Sequence, residues 1–184
     1  VGVVLVAGIV MLLYLTVDPE TNENFRIGRI LVWLRPEEFA DGMGYQTLQA
    51  LYAIGSGGLL GRGLGNSIQK LGSVPEAQND MIFSIICEEM GAAGAIFLIF
   101  LFAMLLWRLG VAAMHAKDLA GALICCGIMG HLALQVILNI AVVTNTIPNT
   151  GITLPFISYG GTSAVFLLGE MGLAMNVGKC DRIN

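Results

Sequence analysis

The chain carries no Lys, Arg, Asp or Glu between Leu119 and Gly169. This stretch is too long for one membrane helix, which needs about 20 apolar residues. The segment PNTGITLPFISYGGTS, which begins at Pro148, interrupts it with prolines and glycines that a regular helix does not tolerate. The uncharged run therefore predicts two membrane helices and an irregular loop between them, at residues 119–144, 158–177 and 145–157.

The composition of the whole chain indicates a membrane protein. Of its 184 residues, 56% are hydrophobic and 12% are charged, whereas soluble domains carry about 25% charged residues. The net charge is -4 and no basic run is interleaved with aromatic residues, so nucleic acid is not an expected partner. The four cysteines form no CxxC pair, and we interpret them as small buried hydrophobic residues.

Charge and hydropathy divide the rest of the chain. Residues 1–17 are uncharged and, at 1.5 Å per residue, span roughly 26 Å, enough to cross a bilayer core. The polar stretch that follows is predicted to be one long loop, in which Tyr45 to Ile54 form a short amphipathic helix. The predicted fold is an all-α membrane protein with four transmembrane helices and one long extracytoplasmic loop. The remaining segments are the loop 18–80, the helix 81–107, the connector 108–118 and the tail 178–184.

The basic residues of the short segments predict the orientation of the chain in the membrane. The connector and the tail contain Arg108, Lys117, Lys179 and Arg182, whereas the loop 145–157 has no Lys or Arg. Because basic short loops remain in the cytoplasm, we expect the connector and tail inside and both loops outside. The chain begins without Met and within an apolar run. We therefore expect it to be a fragment that starts inside a membrane helix, and we expect this fragment to be inactive alone.

An acidic residue, Asp80, stands between the long loop and the next membrane helix. Glu76 precedes it by four residues, so on a helical turn the two carboxylates share a face and could divide acid–base work. Alternatively, Asp80 caps the helix that begins at Met81 and stabilises its dipole. The spacing alone leaves both interpretations open.

The long loop contains a glycine-rich segment, AIGSGGLLGRGLGNSIQK. Neither a Walker A nor a G-x-G-x-x-G pattern fits its glycines. Two interpretations remain: a flexible turn, or a loop whose backbone approaches a large ligand closely. Arg62 and Lys70 flank the glycines and could bind phosphate.

Polar side chains also occur inside the predicted membrane helices. The carboxylates among them are Glu88, Glu89 and Glu170. Since the predicted spans hold no Lys or Arg, we expect these groups to be protonated or paired with residues of helices outside this chain. A polar stripe at i, i+4 and i+8 consists of His131, Gln135 and Asn139. It indicates interhelical hydrogen bonds, with a cavity lining or a proton relay through His131 as alternatives.

Three blocks, in this order, resemble the SEDS family of bacterial cell-wall synthesis, which comprises the FtsW, RodA and SpoVE proteins: AIGSGGLLGRGLGNSIQK, VPEAQNDMIFSIICEEMG and PNTGITLPFISYGGTS. The resemblance covers essentially the whole chain, as the C-terminal part of a ten-helix protein, and is greatest to division and sporulation members. It implies a peptidoglycan glycosyltransferase that polymerises lipid II, an undecaprenyl-pyrophosphate-linked disaccharide pentapeptide, outside the bacterial cytoplasmic membrane. It also implies a class B penicillin-binding protein (a single-pass transpeptidase) docked on the second and third helices, within divisome or sporulation machinery.

The resemblance implies roles for individual residues. Asp80 stands at the position of the family's essential acid, and we predict that it is the general base for the acceptor sugar hydroxyl. Its neighbours Asn79 and Met81 depart from the family pattern, whereas Gln135 and Asn139 match it. The predicted substrate-binding residues, of which the two basic ones would bind pyrophosphate, are Arg62, Lys70, Glu76, Gln78, Ser158, Gly160 and Gly161.

Two other functions are compatible with a membrane chain of this kind. The first keeps the family and is a lipid II transporter (flippase), whose polar path would be formed by Glu88, Glu89, Glu170 and His131. The second is an unrelated small transporter or channel, which leaves the long loop ending in PEAQND unexplained. No cofactor is predicted, and a divalent cation at the pyrophosphate is left open.

Overall fold

The computed structural model describes residues 25–40, 42, 44–68 and 78–179, without the side chains of residues 25–27 and 179. Within these ranges every regular element is helical and no strand occurs. The elements are α1 (Phe25–Leu34), a 3-10 turn (Pro36–Phe39), α2 (Tyr45–Gly57), α3 (Ile82–Met114), α4 (Leu119–Val143) and α5 (Gly161–Lys179). The predicted helix at 1–17 and the candidate residues Lys70 and Glu76 lie outside the described residues.

Two of the described helices, α3 and α4, are long and apolar enough to cross a membrane. A connection of only a few residues joins them, so they pack as antiparallel neighbours, and α5 packs against both. Large apolar side chains on the outside of α3, such as Phe97 and Phe100, are exposed. The predicted class, an all-α membrane protein, is confirmed, while the count of four spans and the extracytoplasmic loop stay predictions.

The helix predicted at residues 81–107 continues past Trp107 to Met114. The prediction ended it at Arg108, the first charge after the apolar run. Arginine is a strong helix former, so the helix continues through Arg108 although the apolar run ends there. The basic connector is therefore shorter than predicted. The last helix starts at Gly161 instead of residue 158, because the backbone N–H of Ser158 donates to Leu154 O within a separate turn.

Buried apolar side chains form two clusters along the α3–α4 pair. The cluster at the Asp80 end includes Met81, Phe83, Val143 and Leu154. The cluster at the other end includes Leu109, Ile128, Leu167 and Ala174. The first cluster joins the start of α3, the end of α4 and the loop before α5, and it thereby gives the Asp80 end a rigid base.

Helix α3 is interrupted at Gly91, whose backbone is non-helical (φ 67°, ψ -169°). In an unbroken helix the N–H groups of Ala92 and Ala93 would donate to the carbonyls of Glu88 and Glu89. Instead, Ala92 N donates to Gly58 O (2.9 Å) and Ala93 N to Leu59 O (3.1 Å). The two carbonyls accept from the same loop segment, Glu88 O from Arg62 N (3.0 Å) and Glu89 O from Gly63 N (2.9 Å).

The glycine-rich segment thus inserts its backbone into the hydrogen-bond ladder of a membrane helix. We call residues 58–63, together with residues 88–93 of α3, the glycine clamp. The close approach explains the glycines: a Cβ on Gly61 would lie 2.2 Å from Glu89 O, and a Cβ on Gly91 would lie 2.4 Å from Gly61 N. Neither predicted interpretation of the segment, a flexible turn or a backbone surface for a ligand, describes residues 58–63, because their backbone is bonded to α3.

Candidate functional site

Asp80 lies in a turn directly before α3 and does not cap the helix. The first helical residue is Ile82, the N-cap position is held by Met81, and no side-chain cap hydrogen bond is formed. The alternative prediction, with Asp80 as the cap of a helix that begins at Met81, does not match this start, because Met81 itself takes the N-cap position. The carboxylate instead faces α2, where Gln46 Nε2 donates to Asp80 Oδ1 in a long hydrogen bond of 3.4 Å.

Three consecutive carbonyls hold the turn that presents Asp80. Gln78 O accepts from the backbone N–H of Tyr159 (2.8 Å). Asn79 O accepts from Ser158 Oγ (2.6 Å), and Asp80 O accepts from Asn139 Nδ2 (2.8 Å). The backbone of Asp80 is therefore fixed by donors from α4 and from the loop that follows it.

The same donors also fix the loop. Ser158 Oγ accepts from Leu154 N (2.7 Å), and Asn139 Nδ2 donates a second bond to Ile152 O (2.7 Å). Asn139 is completely buried, where an unmade hydrogen bond would be costly. Ser158 was predicted to bind substrate, but its one hydroxyl hydrogen is already donated to Asn79 O. The two side chains join the Asp80 turn to the loop and act as positioning groups.

Replacing Ser158 with alanine should slow the chemical step without disrupting the membrane helices. The substitution leaves Asn79 O and Leu154 N without their shared partner, at about 1–3 kcal/mol, and loosens the turn that carries Asp80. With Asp80 as the predicted general base, we expect kcat to fall on the order of tenfold with KM little changed. The matched control is Ser163→Ala in α5. Equal activity of the two variants would contradict the positioning role.

The polar stripe of α4 faces protein at two of its three positions. Gln135 Nε2 donates to Thr153 O (3.1 Å), and Asn139 binds Asp80 O and Ile152 O. The partners are backbone carbonyls of an irregular segment and not side chains of another helix. The third position, His131, contacts Glu170 of α5 at 3.0 Å, with the His131 side chain 52% exposed. The stripe therefore joins α4 to three different parts of the chain.

Glu88 is fully buried and has partners within this chain. Its carboxylate accepts from Ser67 Oγ and from the backbone N–H of Ile68 (3.1 Å), and Arg62 Nη1 lies 3.7 Å away. The alternative that these carboxylates pair only with helices outside the chain is therefore not needed for Glu88. It is not needed for Glu170 either, because His131 is its neighbour. Glu89 lies next to Glu88 in the glycine clamp and is half-buried.

Arg62 is drawn toward the inside of the molecule by this carboxylate, although its side chain stays 38% exposed. Of the other predicted binding residues, Gln78 is exposed in the Asp80 turn, and Gly160 and Gly161 lie at the start of α5. A Cβ on Gly161 would meet no atom within 4 Å. Within the described ranges, no three or more His, Cys, Asp or Glu side chains form a group able to hold a metal ion.

A cavity of about 180 Å³ lies beside the Asp80 turn, between α1, α2 and the end of α4. Its polar lining includes Arg29, Trp33, Gln46, Asn145 and Asn149. None of these residues was among the predicted site residues. Arg29 and Trp33 are four residues apart and so share one face of α1. This spacing can be seen in the sequence, but it does not indicate which surface the face of α1 contacts.

The features described so far define a helical membrane protein with a fixed acidic turn and a polar cavity at one end of its spanning helices. Comparison with known proteins identifies the group to which it belongs. The family model of the FtsW/RodA/SpoVE proteins, described as "Cell cycle protein", matches residues 1–183. The chain belongs to this family, and the resemblance inferred from its three sequence blocks is confirmed.

Two relatives from Bacillus subtilis (strain 168) are similar along most of the chain. Stage V sporulation protein E is 48% identical over 158 residues, which are 86% of this chain and 43% of that protein. The probable peptidoglycan glycosyltransferase FtsW is 41% identical over 182 residues, 96% of this chain and 45% of that protein. The chain thus spans less than half the length of these relatives.

Two solved structures share the fold. One is described as "Structural coordination of polymerization and crosslinking by a peptidoglycan synthase complex"; it is 27% identical, with a TM-score of 0.68 over 99% of this chain and 49% of that one. The other is an aspartate-to-alanine mutant of the rod shape determining protein RodA of Thermus thermophilus. It is 31% identical, with a TM-score of 0.56 over 96% of this chain and 54% of that one.

Proposed function

We propose that this chain carries the catalytic surface of a peptidoglycan glycosyltransferase, which polymerises lipid II into glycan strands during cell division or sporulation. The observation that carries the proposal is the Asp80 turn. Its three carbonyls are bound by neighbouring segments, so the carboxylate is held in place at the end of a membrane helix, beside a polar cavity. Preorganisation of this kind is what a catalytic group requires.

In the proposed reaction, Asp80 takes the proton of the acceptor sugar hydroxyl as the oxygen attacks the anomeric carbon of the donor. The new glycosidic bond forms while the bond from that carbon to the pyrophosphate breaks, and the lipid pyrophosphate leaves with the bonding electrons. A positioned base of this kind contributes about 10²–10⁴-fold in rate. The location suits the substrate, because a sugar at the bilayer surface reaches Asp80 while its lipid chain stays among apolar helices such as α3.

The departing pyrophosphate needs positive charge. We retain Arg62 and Lys70 for this role, with Arg62 acting through the exposed part of a side chain that Glu88 also attracts. A divalent cation is an alternative source of charge. Substrate contacts from Glu76, Gln78, Gly160 and Gly161 remain part of the proposal, whereas Ser158 acts through the backbone of the Asp80 turn.

We further propose that the Asp80 end faces the outside of the cytoplasmic membrane, because Arg108 and Lys117 lie at the opposite end of α3 and α4. A class B penicillin-binding protein is the proposed partner. Two observations support it: the similar solved structure is described as a complex that coordinates polymerization and crosslinking, and α3 exposes large apolar side chains such as Phe97 and Phe100 that a partner's membrane helix could cover.

The alternative function, lipid II transport, has one observation in its favour, the partly exposed pair of His131 and Glu170 between α4 and α5. The two functions are separated by supplying fluorescent lipid II to the intact protein in liposomes, together with its partner. A polymerase yields a ladder of glycan chains on a gel. A transporter moves fluorophore between leaflets without making polymer.

The variant Glu170→Gln sharpens this comparison. It removes the charge of the pair but keeps its size, and it lies in α5, away from Asp80. We expect chain synthesis within about threefold of wild type, since glutamine keeps a side-chain oxygen for the contact with His131 Nδ1. If the wild type makes no polymer and this variant loses lipid transfer, the assigned function changes from polymerase to transporter.

A further inference from the structure

We propose that the cavity lined by Arg29, Trp33, Gln46 and Asn149 is a pocket for one N-acetylated sugar ring of the acceptor, held so that its hydroxyl reaches Asp80. This proposal rests on the proposed glycosyltransferase function and adds to it a binding site. The catalytic residues named above do not include any of these four side chains.

The size and lining of the cavity indicate the class of ligand. Its volume of about 180 Å³ is below the roughly 300–1,000 Å³ of a drug-sized ligand site, so it suits a single ring and not a disaccharide. Its wall combines an indole, amide side chains, one hydroxyl and one guanidinium with the apolar side chains of Val32 and Val142. A sugar ring has an apolar face for the indole and hydroxyl and acetamido groups for the amides.

The charge of the cavity argues against pyrophosphate as its main ligand. Arg29 is the one Lys or Arg among the described residues that line it, and Arg29 Nη1 already donates to Asn149 O at 3.1 Å. Two phosphate groups would bring more negative charge into this site than a single guanidinium balances. A neutral, hydroxyl-rich ring carries no such requirement, and the guanidinium can donate to its oxygens.

Gln46 connects the cavity to the proposed base. Its side chain lines the cavity, and its Nε2 donates to Asp80 Oδ1 at 3.4 Å. A ring in the cavity therefore lies one side chain away from the carboxylate. The weak, long contact can be exchanged for one between Asp80 and a sugar hydroxyl, as catalytic hydrogen bonds often tighten only in the complex.

The wall of the cavity is already formed without a ligand. Trp33 Nε1 donates to Asn145 O (3.0 Å), and Asn145 Nδ2 donates back to Trp33 O (3.3 Å). Asn145 follows the end of α4 in a left-handed conformation (φ 55°), which asparagine tolerates better than most residues. These reciprocal bonds fix the indole plane, so little ordering is needed when a ring binds.

The test measures binding separately from catalysis, with N-acetylglucosamine as the probe and ligand-observed NMR of the intact protein in nanodiscs. Trp33→Ala and Arg29→Gln should weaken binding at least tenfold and raise KM for lipid II, with a smaller change in kcat. Trp107→Ala is the matched control, because Trp107 is the chain's other tryptophan and is exposed on α3. It should bind the probe like wild type.

Asp80→Asn distinguishes failure of this proposal from failure of the proposed function. If it abolishes polymer but keeps probe binding, both proposals are supported. If probe binding needs Trp33 and Arg29 while the wild type makes no polymer, the pocket remains and the glycosyltransferase function fails. Unchanged probe binding in both Trp33→Ala and Arg29→Lys, the milder variant that folds most readily, overturns the pocket. The pocket is also overturned if inorganic pyrophosphate abolishes the N-acetylglucosamine signal of the wild type, because the cavity would then be a phosphate site.

Discussion

Gly91→Ala should destabilise the folded protein by on the order of 3 kcal/mol or more. The backbone of Gly91 (φ 67°, ψ -169°) lies in a region that is essentially restricted to glycine and that costs other residues about 1–3 kcal/mol. The new Cβ would also lie 2.4 Å from Gly61 N and 2.6 Å from Leu59 O. Both atoms belong to backbone, so the clash can be relieved only by opening the glycine clamp and its four hydrogen bonds.

The matched control for this variant lies in the same helix. A Cβ on Gly110 would meet Met129 Sδ at 3.5 Å, an ordinary contact, and alanine is favoured over glycine within a helix by about 1 kcal/mol. Thermal unfolding of the purified intact protein should therefore show a large loss for Gly91→Ala and no loss for Gly110→Ala. Equal melting temperatures for the two variants would show that the break in α3 does not depend on the clamp.

Helices α4 and α5 were predictable because hydropathy is a local property. The uncharged run from Leu119 and the interruption at Pro148 indicated α4, the irregular loop and α5 without knowledge of any contact. The proximity of Asp80 to that loop also followed, since both were assigned to one side of the membrane. The contacts of Ser158 and Asn139 with the Asp80 turn agree with that assignment.

The glycine clamp could not be predicted from the sequence. Its hydrogen bonds join backbone groups of two segments that are far apart in the chain, and backbone pairing leaves no periodic side-chain pattern. Residues 81–107 were predicted as one unbroken helix. Glycine is frequent in membrane helices, so Gly91 gave no signal of a break. The two interpretations of Glu88 were a protonated carboxyl or a partner outside the chain, whereas the clamp brings Arg62 and Ser67 to this carboxylate.

The cavity beside Asp80 was missed for a different reason. No helix was predicted at residues 25–34, so the face of α1 that carries Arg29 and Trp33 was not recognised. Its partner surface is the end of α4, where Asn145 turns the chain. Such a contact depends on how a short helix packs. The sequence of an amphipathic helix does not tell whether its apolar face meets protein or a membrane surface. The predicted phosphate-binding residue Arg62, by contrast, was chosen from its position near the glycines and lies against Glu88.

Asp80→Asn should lower glycan chain synthesis at least a hundredfold. The substitution keeps the size of the side chain and an oxygen that can accept from Gln46, but it removes the base, whose contribution is about 10²–10⁴-fold. The turn should stay in place, because the carbonyls of residues 78–80 are bound by neighbouring segments. Membrane insertion, thermal stability and partner binding should therefore remain close to wild type.

The measurement that tests this account most directly is lipid II polymerisation by the intact protein with its transpeptidase partner, comparing wild type, Asp80→Asn and Asp118→Asn. Asp118 is the matched control, since it is an exposed aspartate that directly precedes α4, at the opposite end of the spans. We predict that polymer is lost only in Asp80→Asn, with normal folding of all three proteins. Chain synthesis by Asp80→Asn at the rate of Asp118→Asn would contradict the assignment of Asp80 as the base.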